Sequence, residues 1–162
     1  MSQFSKPLVV LVVFGVSIQG LSVLSQPPKE VKMECKLIVA KKNVTVGETP
    51  PAEVEIKNVS KEDLIITYNT NPLEFLDLEV FDPAGKRISD GKYGGRFSPS
   101  SPTPQRQVIL KPGDAFRKPV GVFGNSKETD RTTPGVYRVV AVFEYAKMRA
   151  VAEAVMVNVE AK

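Results

Sequence analysis

The residue types that carry most acid–base and metal chemistry are scarce in this sequence, which has no His, no Trp and a single Cys. That removes imidazole catalysis, every His-dependent triad or dyad, zinc sites built from His or several Cys ligands, and any disulfide within the chain. Cys35 alternates with Val31, Met33, Leu37 and Val39. It therefore reads as a small inward-facing hydrophobe, since a nucleophilic thiol needs a neighbouring base or positive charge. Met33, Cys35, Met148 and Met156 are soft donors suited to cuprous ion, but their unrelated spacings match core and turn positions better. Glu74, Asp77, Glu79 and Asp82 form an acidic run. Asp77 and Glu79 share one face of a strand and Asp82 begins a turn, so a solvated face accounts for them. Glycoside hydrolysis would need two carboxyls about 5 to 9.5 Å apart across a cleft, and no fixed calcium-loop spacing is present. No cofactor or metal is expected. Asn43-Val44-Thr45 and Asn58-Val59-Ser60 match the glycosylation triplet, which has meaning only on a eukaryotic secretory route.

The segment richest in recognition chemistry is Ser89 to Gln107, SDGKYGGRFSPSSPTPQRQ. Loops beyond about 12 to 15 residues in compact domains are usually functional or disordered. Lys92, Tyr93, Arg96, Phe97 and Arg106 set cationic and aromatic groups among Gly and Pro, a composition suited to contact with a protein or glycan. An unspecialised insertion is the competing reading. A second loop, Gly121 to Thr133, carries mixed charge.

Residues 1–25 stand apart from the fold that must position these groups. Lys6 precedes an apolar run from Leu8 to Ile18, and Val23 and Ser25 suit the two positions before a cut at Ser25/Gln26. This resembles a secretory signal peptide. A bilayer span needs about 20 apolar residues, and Ser17, Gln19, Gly20 and Ser22 dilute this one, so an uncleaved anchor ranks second. Residues 26–162 are then expected as one domain in the secreted or periplasmic and cell-envelope space. Loss of Lys6 takes the net charge from 22 − 18 = +4 to 21 − 18 = +3. With no block of five or six like charges, nucleic acid is not an expected partner.

From Gln26 onward the chain has 18 Val and 6 Ile against 6 Leu, a β-branched excess suited to pleated, half-buried surfaces. Alternation predicts a first strand from Val31 through Val39, continued by Val44 and Val46. Further strands follow around Val54 and Ile56, over Leu64 to Tyr68, and over Leu76 to Val80. Asp82-Pro83-Ala84-Gly85 is a turn, and Lys86 to Ile88 begins a return strand. Val108 to Leu110 leads through the turn at Gly113 into Ala115 to Val120, where Pro119 marks an edge. The chain closes on a hairpin, Val136 to Tyr145 and Val151 to Val159, with Val151, Val155, Val157 and Val159 on one face. Alternation and turn spacing predict an all-β fold, an antiparallel sandwich of about seven to eight strands.

Pro134-Gly135-Val136-Tyr137-Arg138-Val139 resembles the entry to strand F of immunoglobulin-like and fibronectin-like sandwiches, with Tyr137 as the residue that pins the corner. Val139 stands where antibody-type domains have Cys, opposite Val54 or Ile56. A longer order of motifs runs through Glu55-Ile56-Lys57-Asn58-Val59-Ser60, then Leu78 to Lys86 with its Gly85 turn, Leu110-Lys111-Pro112-Gly113-Asp114, and Pro134-Gly135-Val136-Tyr137. This order is similar to bacterial immunoglobulin-like domains of the intracellular-proteinase-inhibitor type and their secreted relatives, over about residues 52 to 145. The resemblance implies the sandwich and, as an alternative function, proteinase inhibition; it transfers no inhibitory residues. The primary expectation is an exported, non-catalytic module that binds a protein or glycan. A small hydrolase or metal-handling protein is the third reading.

Overall fold

The valine-rich alternation condenses into strands in a computed structural model, which describes residues 32–89, 93, 104–123 and 133–162. The expected export segment, together with Lys92, Arg96, Phe97 and most of the Gly121 to Thr133 loop, lies outside these residues. In chain order the strands are β1 (Met33–Val39), β2 (Asn43–Thr45), β3 (Pro51–Asn58), β4 (Leu64–Tyr68) and β5 (Leu76–Phe81). They continue with β6 (Arg106–Leu110), β7 (Ala115–Gly121), β8 (Gly135–Tyr145), β9 (Met148–Val151) and β10 (Val155–Glu160). A single 3-10 turn, Pro72–Phe75, precedes β5, with Asn71 capping it through its side chain.

Two sheets face each other as the expected all-β sandwich, one in the order β1-β3-β7 and one in the order β2-β10-β8-β5, with β9 also on β8. A two-stranded ribbon, β4-β6, is the third sheet. Pairing is antiparallel except between β10 and β2, which run parallel. Inward side chains alternate along the strands, and Val54, Ile56, Leu76, Leu78, Val139 and Phe143 have essentially no exposed surface. Phe116 of one sheet meets Phe143 of the other edge-on, with ring centroids 6.3 Å apart. Pro119 lies in β7, the outer strand of its sheet, where a missing N–H leaves no ladder bond unmade.

Among the described residues ten strands stand where seven to eight were expected, for two local reasons. The alternation from Val31 to Val46 is not one strand: β1 pairs with β3 in one sheet, and β2 is captured by β10 in the other. Asn158 N–H donates to the Lys42 carbonyl (2.7 Å) and Val46 N–H to that of Glu160 (3.0 Å). The closing strand is likewise divided. Val151 lies opposite Val142 but Val155 lies opposite Val139, so four steps on one side match three on the other, and the extra residue is a β-bulge. A one-residue insertion flips every later side chain. Val151 is consequently 48% exposed on the outer face while Val157 and Val159 are buried, which corrects the single-face reading of these valines. Of the return strand expected to begin at Lys86 to Ile88, the described residues keep only isolated bridge positions, at Arg87, which pairs with Phe81, and at Ser89.

β3 and β7 do not end at the sheet's end. Their chains turn at residues 59–63 and 111–114 and pair again as β4 and β6, so one ribbon bends and leaves the first sheet. Asn58 holds the bend from inside. Fully buried, it donates through Nδ2 to the carbonyls of Glu62 (2.7 Å) and Leu110 (2.8 Å). Its Oδ1 accepts from Ser60 N–H (2.9 Å) and Ser60 Oγ (2.7 Å). A carboxamide has two donors and an acceptor oxygen with two lone pairs, and this site uses all of them. Burial also takes Asn58 out of reach of the glycosylation reading.

The entry to β8 has its own pin. Tyr137, with no exposed surface, donates its hydroxyl to the Thr133 carbonyl at 2.8 Å and packs edge-on against Phe123 with centroids 5.6 Å apart. Gly135 begins this strand at φ 143°, and a Cβ there would lie 2.7 Å from Pro83 Cγ, so only glycine lets the two segments approach.

Candidate functional site

The two sides of the sandwich are finished differently. On one, the bent β4-β6 ribbon is tied to β8: Tyr145 Oη accepts from Thr67 N–H (2.9 Å), and the Tyr145 ring meets Phe75 at 4.9 Å. On the other, the outer edge of β1 faces β9 and the start of β10, and among the described residues no strand lies between them. Between these edges runs an open groove of about 920 Å³, lined by β1, Lys42, β9, the bulge and the first residues of β10.

Backbone alternation determines what the groove offers. Ala40 N–H donates to the Pro51 carbonyl and Val59 N–H to that of Lys32, so the even-numbered residues of β1 bond to β3. The N–H and C=O groups of Met33, Cys35, Leu37 and Val39 therefore point to the open edge. Across the groove, Ala152 N–H donates to the Ala141 carbonyl, which turns the main-chain groups of Arg149 and Val151 outward in the same way. Three apolar side chains line it while remaining substantially exposed: Ile38 at 43%, Val151 at 48% and Met156 at 50%. An unpaired edge beside exposed apolar groups is the surface that accepts an added strand, with main-chain bonds supplying affinity and side-chain positions supplying selectivity. Charge along the groove alternates, with Glu34, Lys36, Lys42, Arg149 and Glu153 on its walls.

Cys35 lines the groove by backbone, but its Sγ is turned inward, 3.9 Å from the Ala141 carbonyl, and burial pushes the thiol up to about 12. At neutral pH it is neither a thiolate nucleophile nor a ready soft ligand. Among the described residues no group of three or more His, Cys, Asp or Glu side chains is placed to hold a metal ion. The acidic run is occupied structurally. Glu74 accepts from the backbone N–H groups of Asn69 and Thr70, Asp77 and Glu79 hold Arg87 (2.7 and 3.1 Å), and Asp82 accepts from Lys86 N–H. On the first sheet's outer face Glu55 is nearly buried, and the Arg117 guanidinium, 2.6 Å away, holds its carboxyl below the usual carboxylate range against the opposing effect of burial.

Of the loop residues singled out by composition, Tyr93 and Arg106 are among those described. Tyr93 is half-buried: its N–H donates to the Leu76 carbonyl (2.6 Å), and its hydroxyl accepts from Gly121 N–H (2.9 Å). Tyr93 thus bridges β5 and β7, one strand from each facing sheet. Arg106 is exposed at the start of β6, opposite Tyr68. Gly85 and Gly113 occupy their turns at positive φ, 82° and 88°. The groove was not among the sequence candidates. Met156 could have been found there, because it alternates outward from Val155 and Val157, whereas the exposure of Val151 depends on the bulge.

No family profile and no curated protein sequence matches the chain. Among solved structures it is similar to a β-glucosidase from Listeria innocua (TM-score 0.47, 15% identity, 82% of this chain and 16% of that one). It is also similar to the sporulation control protein Spo0M from Bacillus subtilis (TM-score 0.48, 16% identity, 81% of this chain and 50% of that one). A β-glucosidase from Erythrobacter marinus is similar at a TM-score of 0.46 and 11% identity, over 80% of this chain and 16% of that one. The chain thus spans a sixth to a half of these proteins, and at such scores none assigns it an activity.

Proposed function

We propose that this chain is an exported, non-catalytic binding module that takes an extended segment of a protein partner along the open edge between β1 and β9. The observation that carries this is the coincidence in one groove of outward-facing main-chain groups from β1 and β9 with the exposed side chains of Ile38, Val151 and Met156. Export rests on the sequence of residues 1–25, with its basic start, apolar run and small residues before Gln26. A strand partner gains main-chain bonds regardless of its sequence, and the alternating wall charges then select among candidates.

The test is affinity capture from the native envelope or secretome with three baits: the wild type, a Val151→Glu/Met156→Glu variant, and a variant with exposed Arg106 replaced by Ala. Both altered groove positions are half exposed, so the fold should survive. The expected result is a partner retained by the wild type and Arg106→Ala and lost by the groove variant. A partner lost only with Arg106→Ala would return recognition to the loop side and overturn the groove reading.

A further inference from the structure

We infer that one strand suited to this groove is β1 of a second copy of the chain, paired antiparallel about a twofold axis through Cys35. The inference rests on the reading of the β1 edge as a strand-accepting edge and identifies an occupant for it.

Register decides how two such edges can meet. Outward main-chain groups on β1 belong to Met33, Cys35, Leu37 and Val39, so two copies can join only if odd residues face odd residues. Three such registers keep the middle of the strand paired, centred on residue 34, 35 or 36. Centring on residue 34 sets Glu34 against its own copy and Lys32 against Lys36. Centring on residue 36 sets Lys36 against its own copy. Like charges directly opposite are destabilising. Only centring on Cys35 sets Glu34 opposite Lys36 of the second copy, and by symmetry does so twice. These are non-hydrogen-bonded positions, where side chains lie closest, and both groups are exposed on the same outer face. Cys35 then exchanges both main-chain bonds with its equivalent, and Met33 does the same with Leu37 in each direction, which makes six bonds. Both three-stranded sheets become one six-stranded sheet, and each β1 covers the other's open edge. Contact of this kind is isologous and closes on itself, so it gives a dimer rather than a fibre. The two thiols stay in their own cores, so no disulfide is formed.

Sedimentation velocity over a wide concentration range, on protein expressed from the full reading frame and purified in the form the cell delivers, tests this. Wild type should dimerise reversibly, without change under reductant. Glu34→Lys and Lys36→Glu should each weaken self-association on the order of tenfold or more, since two attractive pairs become two repulsive ones. An equal mixture of these two variants should form a heterodimer, and the double variant Glu34→Lys/Lys36→Glu should recover wild-type association. Circular dichroism of each variant checks that these exposed changes leave the fold intact. For the register, mixed Glu34→Cys and Lys36→Cys proteins should cross-link to each other on oxidation. Preferential cross-linking of Lys36→Cys to itself would overturn the register. Wild type that stays monomeric throughout, or single variants that associate as well as wild type, would overturn the self-pairing. A monomer that still captured a partner through Val151 and Met156 would sink this inference alone, whereas loss of groove-dependent capture would sink the broader reading.

Discussion

Replacing Asn58 by Ala removes a side chain that spans the bend between the β3-β7 and β4-β6 pairings. The buried Leu110 carbonyl, at a ladder position opposite Leu64, loses its side-chain donor (2.8 Å in the wild type), and breaking a buried hydrogen bond from one side costs about 1–3 kcal/mol. The bonds to the Glu62 carbonyl, Ser60 N–H and Ser60 Oγ are partly buried, so water can replace some of each. Each contributes about 0.5–1.5 kcal/mol before that replacement. A total loss of about 3–5 kcal/mol is expected, a large share of the roughly 5–15 kcal/mol that stabilises a typical domain. Urea melts followed by circular dichroism should show a lower midpoint with an unchanged slope, and the melting temperature should fall by about 10–15 °C. Ser60→Ala, which removes only the Oγ bonds to Asn58 and Glu62, should cost about 1–2 kcal/mol. Asn58→Asp keeps the shape but turns an acceptor oxygen toward two carbonyls. Its carboxyl should titrate above the usual range, so the destabilisation should shrink as pH falls through that folded value. A loss below about 1 kcal/mol for Asn58→Ala would mean that packing and the main-chain ladders suffice to hold the bend without this side chain.

Tyr137→Phe should cost about 0.5–1.5 kcal/mol in denaturant melts without changing the fold, the net value of the hydrogen bond to Thr133; no loss would show that this bond does not stabilise the strand entry. Glu55, held below its ordinary value of 4.5 by Arg117, contributes stability that is present above that value and lost as pH falls through its lower folded value. Acid melts of wild type should therefore decline more steeply in this range than those of Arg117→Ala, and parallel profiles would contradict the pairing. Cys35, pushed up to about 12 and buried, should react with iodoacetamide near neutral pH only as fast as the protein opens; rapid labelling of native protein, read by mass spectrometry, would contradict its burial.

Much of the fold was legible because alternation is a local property. Val54 with Ile56, Leu64 to Tyr68 and the Gly85 turn each carry their strand or turn signal within a few residues, and the structure places them accordingly. Tyr137 was also readable, since its partner lies only four residues upstream. Composition alone excluded histidine chemistry and an internal disulfide. What the sequence could not supply was the identity of neighbours. Alternation from Val31 to Val46 is the same whether one strand runs through or two divide between sheets, and capture by Glu160 and Asn158, more than a hundred residues away, decides it. The bulge that turns Val151 outward emerges from two registers on β8, neither visible in β9 or β10 by themselves. Tyr93 reads as a contact residue among glycines until tertiary structure gives its N–H to Leu76 and its hydroxyl to Gly121. The groove exists because sheet order leaves β1 and β9 as edges: a strand's sequence specifies which side chains alternate, but only the assembled sheets determine which row of its main-chain groups is left without a partner.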